Sequence, residues 1–199
     1  MKTENRVLMS QARESLSGKW GLAIGVGVLY ILITGAANSI HGYGPVISFI
    51  VSGPLALGLA GFFLALSRNK EANFTQMFDG FNRFGESLLA LLRAALFIVL
   101  WSLLFVIPGI IAAISYSQMF YIMSDNKEIH GKEAIEKSKK MMYGYKWKYF
   151  CLHLRFLGWF ILSILTLGIG FFWLFPYMQM STAKFYEDLK SGEQTSTTA

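Results

Sequence analysis

The sequence is short of charge, short of cysteine, and free of acid where it is most apolar. Of 199 residues, 15% are charged, against about 25% in an ordinary soluble domain. A single cysteine, Cys151, excludes an internal disulfide framework and any multi-cysteine metal site. His41, His130 and His153 are far apart and share no ligand-like spacing. The long apolar runs contain no Asp or Glu, which excludes a carboxylate-based proton relay or ion-coupling site within them. No Gly-rich phosphate loop follows a strand, and no nucleophile–base constellation stands out. The expectation is therefore no enzyme and no cofactor.

What remains is apolar and basic: 54% hydrophobic residues and a net charge of +6. No nucleic-acid recognition motif accompanies that charge, so no nucleic-acid partner is expected. Basic residues instead accumulate in the cytoplasmic loops of membrane proteins. Four apolar blocks stand out. Residues 20–40 are too long for a signal-peptide core and read as an uncleaved span. Residues 45–66 form a second block, with Pro54 inside it as an expected kink. Residues 88–123 carry one charge, Arg93, and residues 149–183 one, Arg155.

The third block is too long for one crossing. As a helix it would run about 54 Å at ~1.5 Å per residue, against a hydrocarbon core of ~30 Å. Pro108-Gly109 divides it into 88–107 and 109–124. Around Gly168 and Gly170 the fourth block divides into about 150–167 and 169–184, although one long tilted helix also fits there. Charge placement favours the division. With six spans, the segments 1–19, 67–87, 125–148 and the tail from 184 hold four, three, seven and two Lys or Arg residues, and Arg93 and Arg155 complete the inventory of 18. All 12 acidic residues lie in the same segments. An undivided third block would put the seven-lysine loop outside, against the positive-inside rule. The predicted fold class is all-α: a polytopic membrane protein with six transmembrane helices in three hairpins, each preceded by a cytoplasmic interfacial helix, with both termini cytoplasmic. Residues 1–190 form one membrane domain with pseudo-repeats 1–66, 67–126 and 127–190, and 191–199 a disordered tail.

Within this frame the candidate sites are modest. "KEAIEKSKKMM" reads as a basic amphipathic helix with Glu133–Lys137 and Glu136–Lys140 pairs at i,i+4, lying on the membrane surface and followed by Trp147 and Tyr149 at the interface. Lys139, Lys140, Lys146 and Lys148, with Arg93 and Arg155 able to snorkel from their spans, are the candidate contacts to anionic lipid. Ser115, Tyr116, Ser117 and Gln118 make the most polar intramembrane patch, fit either to bond neighbouring helices or to line a substrate path. Gly21 and Gly25 form a GxxxG pair, and Gly58 and Gly61 add small positions, for close packing within the chain or for homo-oligomerisation. Asn73 starts a glycosylation sequon that the topology places in the cytoplasm. Cys151 reads as filler, with acylation the sharper alternative.

The strings "LWSLLFVIPGIIAAISYSQMFYIMSDN", "EAIEKSKKMMYGYKWKYF" and "GWFILSILTLGIGFFWLFPYMQMSTAKFYEDL", with "ARESLSGKW" and "FDGFNRF" before them, resemble a bacterial integral membrane family, domain-of-unknown-function family nine-seven-five. That family is similar to the membrane portion of some glycerophosphodiester phosphodiesterases. The resemblance implies a multi-pass protein of the bacterial plasma membrane. It implies no catalytic activity here, because no phosphodiesterase domain is recognised in the chain. The functional expectation is a non-enzymatic accessory or lipid-interacting membrane protein whose partners are membrane lipids, especially anionic ones, and a membrane-protein partner or second copy. The alternative is a small transporter or export factor for a hydrophobic or amphipathic substrate such as a lipid or peptide.

Overall fold

The computed structural model describes residues 3–197, with side chains described to residue 192. Regular structure among these residues is entirely helical. The order is α1 (Asn5–Leu16), α2 (Trp20–Asn38), α3 (Gly44–Ser67), a 3₁₀ segment (Phe74–Arg83), α4 (Phe84–Leu104), α5 (Val106–Tyr116), α6 (Met119–Asp125), α7 (Gly131–Met141), α8 (Lys146–Leu154), α9 (Leu157–Leu165) and α10 (Phe171–Thr197). The tail expected at 191–199 falls largely outside the described side chains.

Five stretches are long and apolar enough to cross a membrane: Trp20–Asn38, Gly44–Ser67, Phe74–Leu104, Val106–Asp125 and Lys146–Leu165. The sequence argued for six. The difference is α10, whose apolar part is cut short by Lys184, Glu187, Asp188 and Lys190. The axis of the bundle is α3, with 61% of its apolar window buried, against 17% for Trp20–Asn38, Phe74–Leu104 and Lys146–Leu165. Leu103 of α4, Val106 and Ile107 of α5, Leu165 of α9 and the turn residues Phe105 and Leu167 face outward. An apolar surface of that extent does not suit water, and it matches a hydrocarbon core.

The chain reverses where α4 meets α5, three residues before Pro108-Gly109. At Phe105 the backbone is extended, φ −159° and ψ 147°. Gly109 then lies on Ser102, so closely that a Cβ would fall 1.9 Å from its Oγ. Seven residues of unbroken helix would separate these positions by about 10 Å. Pro108 occupies the first turn of α5, where a missing N–H breaks no helical bond. The last apolar block divides in a similar way. Leu167 and Gly168 are left-handed, at φ 53° and 89°, and a Cβ on Gly170 would lie 2.6 Å from Ser163 Oγ. Two segments, not one long helix, make up that block. Both reversals set a glycine against the serine seven residues earlier.

The segment expected as a polar helix before α4 is a 3₁₀ run wedged against α3. A 3₁₀ helix has three residues per turn, so i and i+3 side chains eclipse. Met77, Gly80 and Arg83 therefore form one inward file, while Phe78, Phe81 and Phe84 form an outward stack with ring centroids 6.3 and 6.4 Å apart. The fit to α3 is backbone on backbone. A Cβ on Gly80 would lie 1.9 Å from Pro54 O, and one on Gly58 1.9 Å from Met77 O. Pro54 itself sits inside an uninterrupted α3. In α2, Gly25 receives the Phe74 ring and Gly27 the Phe175 ring, whereas Gly21 faces open space. Gly61 faces Ser124.

Replacement of Gly80 by alanine forces two backbones apart, and overpacking of this kind costs about 1–3 kcal/mol. Gly80→Ala is expected to lower the melting temperature in detergent by several degrees, and Gly21→Ala to leave it unchanged. Equal melting of the two variants would contradict the wedge.

Candidate functional site

The charged residues come together at one end of the bundle. Arg68, just past α3, bonds Glu187 through Nε at 3.0 Å and Nη2 at 2.8 Å, and Asp125 through Nη2 at 2.7 Å. Asp125 also accepts from Tyr186 Oη at 2.9 Å and from Lys190. Burial alone would lower the Arg68 pKa, but its bonds to Asp125 and Glu187 outweigh that and push it up. Lys184 Nζ donates to Ser67 O at 2.5 Å, capping the carbonyl end of α3. Its pKa is drawn down by burial, partly offset by Glu187 and Glu14. On the other side Thr3 Oγ1 donates to Asp188 at 2.7 Å, Asn5 Nδ2 to Lys148 O at 2.9 Å, and Lys148 to Thr3 O. Arg83 ties Glu86 to the carbonyls of Met123 and Ile129. These bonds join all four charged segments of the sequence directly.

Lys148 is thus half-buried and turned to Thr3 and Asp188. Lys139 and Lys140 are exposed on α7, and Lys146 is half-exposed. Arg93 and Arg155 are both exposed. The apolar face of α7 (Ala134, Ile135, Met141) is buried against neighbouring helices, so its outward face is the lysine face. Trp147 is exposed, as an interfacial residue would be, but Tyr149 is inside the bundle.

The Ser115–Gln118 patch forms the break between α5 and α6. Ser138 of α7 bridges that break: its Oγ donates to Ser115 O at 2.7 Å and accepts from Gln118 N–H at 3.2 Å. Ser115 Oγ donates to Ile111 O, and Gln118 Nε2 to Ser117 Oγ. Gln118 Oε1 is buried with no partner among the described residues. Tyr116 packs on Phe97. Ser115, Ser117 and Gln118 are hydrogen-bonded within or between helices, Tyr116 packs on an aromatic ring, and Ser117 also borders a cavity.

That cavity, about 370 Å³, lies between helices and is partly open. Its polar lining is Tyr30, Ser117, Tyr121, Tyr149, His153, Gln179 and Thr182. Tyr121 Oη donates to Gln179, 3.2 Å from the backbone O and 3.3 Å from Oε1. Tyr149 and His153, one turn apart on α8, pack with ring centroids 4.3 Å apart and the rings tilted by 44°. Sequence reading missed most of this group. The available signal was the i,i+4 spacing of Tyr149 and His153 and the i,i+3 spacing of Gln179 and Thr182, each of which places both side chains on one helix face.

Two further cavities open on the other side of α10. One, of about 370 Å³, is lined by Arg6, Met9, Ser10, Arg13, Arg155 and Tyr177. The next, of about 310 Å³, has an apolar lining that includes Trp20, Trp159, Trp173 and Leu174. Arg13 and Tyr177 border both. Arg6 and Arg13 were also missed. They lie seven residues apart on one face of α1, beside its buried Leu8–Ala12–Leu16 stripe. No cluster of His, Cys, Asp and Glu among the described residues could hold a metal ion.

An all-helical chain with five helices fit to cross a membrane, its charges gathered at one end, is an integral-membrane type of fold. Residues 1–115 and 103–193 match the model of the family described as a protein of unknown function (DUF975), and the chain belongs to that family. No curated protein and no solved structure matches it.

Loss of the Ser138 hydroxyl would leave a buried carbonyl and a buried N–H without partners, at about 1–3 kcal/mol. Ser138→Ala is expected to lower detergent melting clearly, and Lys139→Ala, on the outward face, to have little effect. Similar melting of the two would remove the bridging role.

Proposed function

We propose that the chain is a non-enzymatic multi-pass protein of the bacterial plasma membrane, with cytoplasmic termini, that works through anionic lipid at its basic end. The observation behind this is the position of α7. Its apolar face packs on protein, and Lys139 and Lys140 point outward, beside the exposed Tyr143 and Trp147. Each such lysine near an anionic surface is worth up to ~1 kcal/mol, and Trp and Tyr favour the headgroup level. The three chain reversals, at 39–43, Phe105 and 166–170, support a reading as three hairpins with uncharged outer turns. The third is short: the nine residues of α9 span about 14 Å, roughly half the ~30 Å core. In this reading it dips through one leaflet and returns, so Lys146–Leu165 does not cross fully and the four remaining spans leave both ends on one side.

A transporter for an amphipathic molecule is the second reading, favoured by the cavity around Tyr121, Tyr149 and Gln179. Substrate flux in proteoliposomes that persists unchanged in Tyr149→Phe and Gln179→Leu would remove that cavity from any transport role.

Polymer-extracted membrane discs from bilayers of mixed composition test the lipid reading. Discs holding the protein are expected to be enriched in anionic lipid over the bulk, and Lys139→Gln/Lys140→Gln/Lys146→Gln to reduce the enrichment. A wild-type disc of bulk composition would refute it. Orientation is tested in a Cys151→Ser background. Cysteines at Val106 and Lys139 are expected to label from opposite faces of the membrane, and same-face labelling would refute the topology. Gly109 is unsuitable for this label because its Cβ would strike Ser102.

A further inference from the structure

We propose that the cleft bordered by α1, α9 and α10 is a site for one anionic phospholipid of the leaflet on the charged side. Its phosphate would lie on Arg6, Arg13 and Arg155, and one acyl chain would follow Trp20, Trp159 and Trp173. This deepens the lipid reading above by naming a single stoichiometric site distinct from the lysine rim of α7.

The charges are the first argument. Arg68 and Arg83 each bond a carboxylate. Arg6, Arg13 and Arg155 share one cavity, and none of them makes an ion pair among the described residues. No acidic side chain lines that cavity. Three guanidinium groups facing one space without a counter-charge repel one another, and a phosphate there would relieve the repulsion through bidentate bonds.

The local fold also fixes the direction of Arg155. The span breaks between α8 and α9, where Phe156 is buried edge-on against Tyr177, with ring centroids 5.2 Å apart at 89°. Phe156 points inward and Arg155 outward, onto the cavity that α1 lines.

The two cavities also adjoin: Arg13 and Tyr177 line both the arginine cavity and the apolar one. Trp20 and Tyr177 sit 6.5 Å apart at the junction. Trp159, Leu162 and Trp173 are about half exposed, so the apolar part opens sideways. Its wall α9 is about one leaflet deep, as estimated above. A charged head at one end, an adjoining apolar cavity walled by a helix one leaflet long and a lateral opening match a phospholipid. They do not match a free phosphate, which would leave the apolar part without a role.

The test is delipidated protein in mild detergent, titrated with phosphatidylglycerol, phosphatidylcholine or inorganic phosphate and read by native mass spectrometry. Phosphatidylglycerol with brominated chains gives a second reading, through tryptophan quenching. Wild-type protein is expected to hold one phosphatidylglycerol ahead of all further equivalents, with quenching at the first equivalent. Arg13→Gln/Arg155→Gln is expected to weaken that first equivalent by roughly fivefold per arginine and to melt like the wild type. Lys139→Gln/Lys140→Gln/Lys146→Gln is expected to keep it, even where it loses general enrichment in anionic lipid. The proposal is overturned if the arginine variant binds the first lipid as tightly as wild type, if phosphatidylcholine binds equally well, or if inorganic phosphate displaces the first lipid. Loss of the first lipid in the lysine variant alone would leave the basic-rim reading standing and remove the cleft.

Discussion

Asp125 is the residue on which the arrangement of the chain depends. It ends α6 and is almost fully enclosed. It accepts from Arg68 after α3 and from Tyr186 and Lys190 on α10. A carboxylate that sheltered is tolerated only when its lone pairs are met, and three elements must converge to meet them. Arg68 carries the link onward to Glu187. The Lys148–Asp188–Thr3 bonds do the same for the start of the chain. These directional bonds determine which ends lie together.

Packing around α3 supplies the complementary constraint. Apolar attraction between helices is weak in lipid, so association rests on close packing. The 3₁₀ segment supplies that closeness through Gly58 and Gly80, which bring its backbone onto α3 at Met77 and Pro54. Gly25 and Gly27 of α2 serve packing inside the chain, onto Phe74 and Phe175. The outer helices keep their large apolar side chains outward.

Much of this was legible in the residue order. The apolar blocks and the absence of acid within them gave the helices and the gathering of charge, because both follow from the cost of placing charge in hydrocarbon. Turn positions were less legible. Pro108-Gly109 looks like a turn tip, yet the extended residue is Phe105, because proline fits the first turn of the next helix. Helix type was not legible before α4, where the file Met77–Gly80–Arg83 is a period-three signal easily taken for an ordinary amphipathic helix. The site was legible in part. Arg155 stood out as an intramembrane charge, but its companions Arg6 and Arg13 read as ordinary N-terminal topology signals. Only the packing of α1 along α10 brings them to the same cavity. Ser115 and Gln118 read as groups that either bond neighbouring helices or line a substrate path, and both are bonded to Ser138, a partner 20 or more residues away in sequence.

The central claim is that the charged segments at the start, middle and end of the chain form one connected end of the bundle. In a Cys151→Ser background, cysteines at Thr3 and Asp188, residues joined by a 2.7 Å bond, test it directly in native membranes. A short bis-maleimide is predicted to cross-link that pair within one chain and to leave a Thr3→Cys/Val106→Cys pair unlinked. No cross-link between 3 and 188, or an efficient one between 3 and 106, would contradict the account.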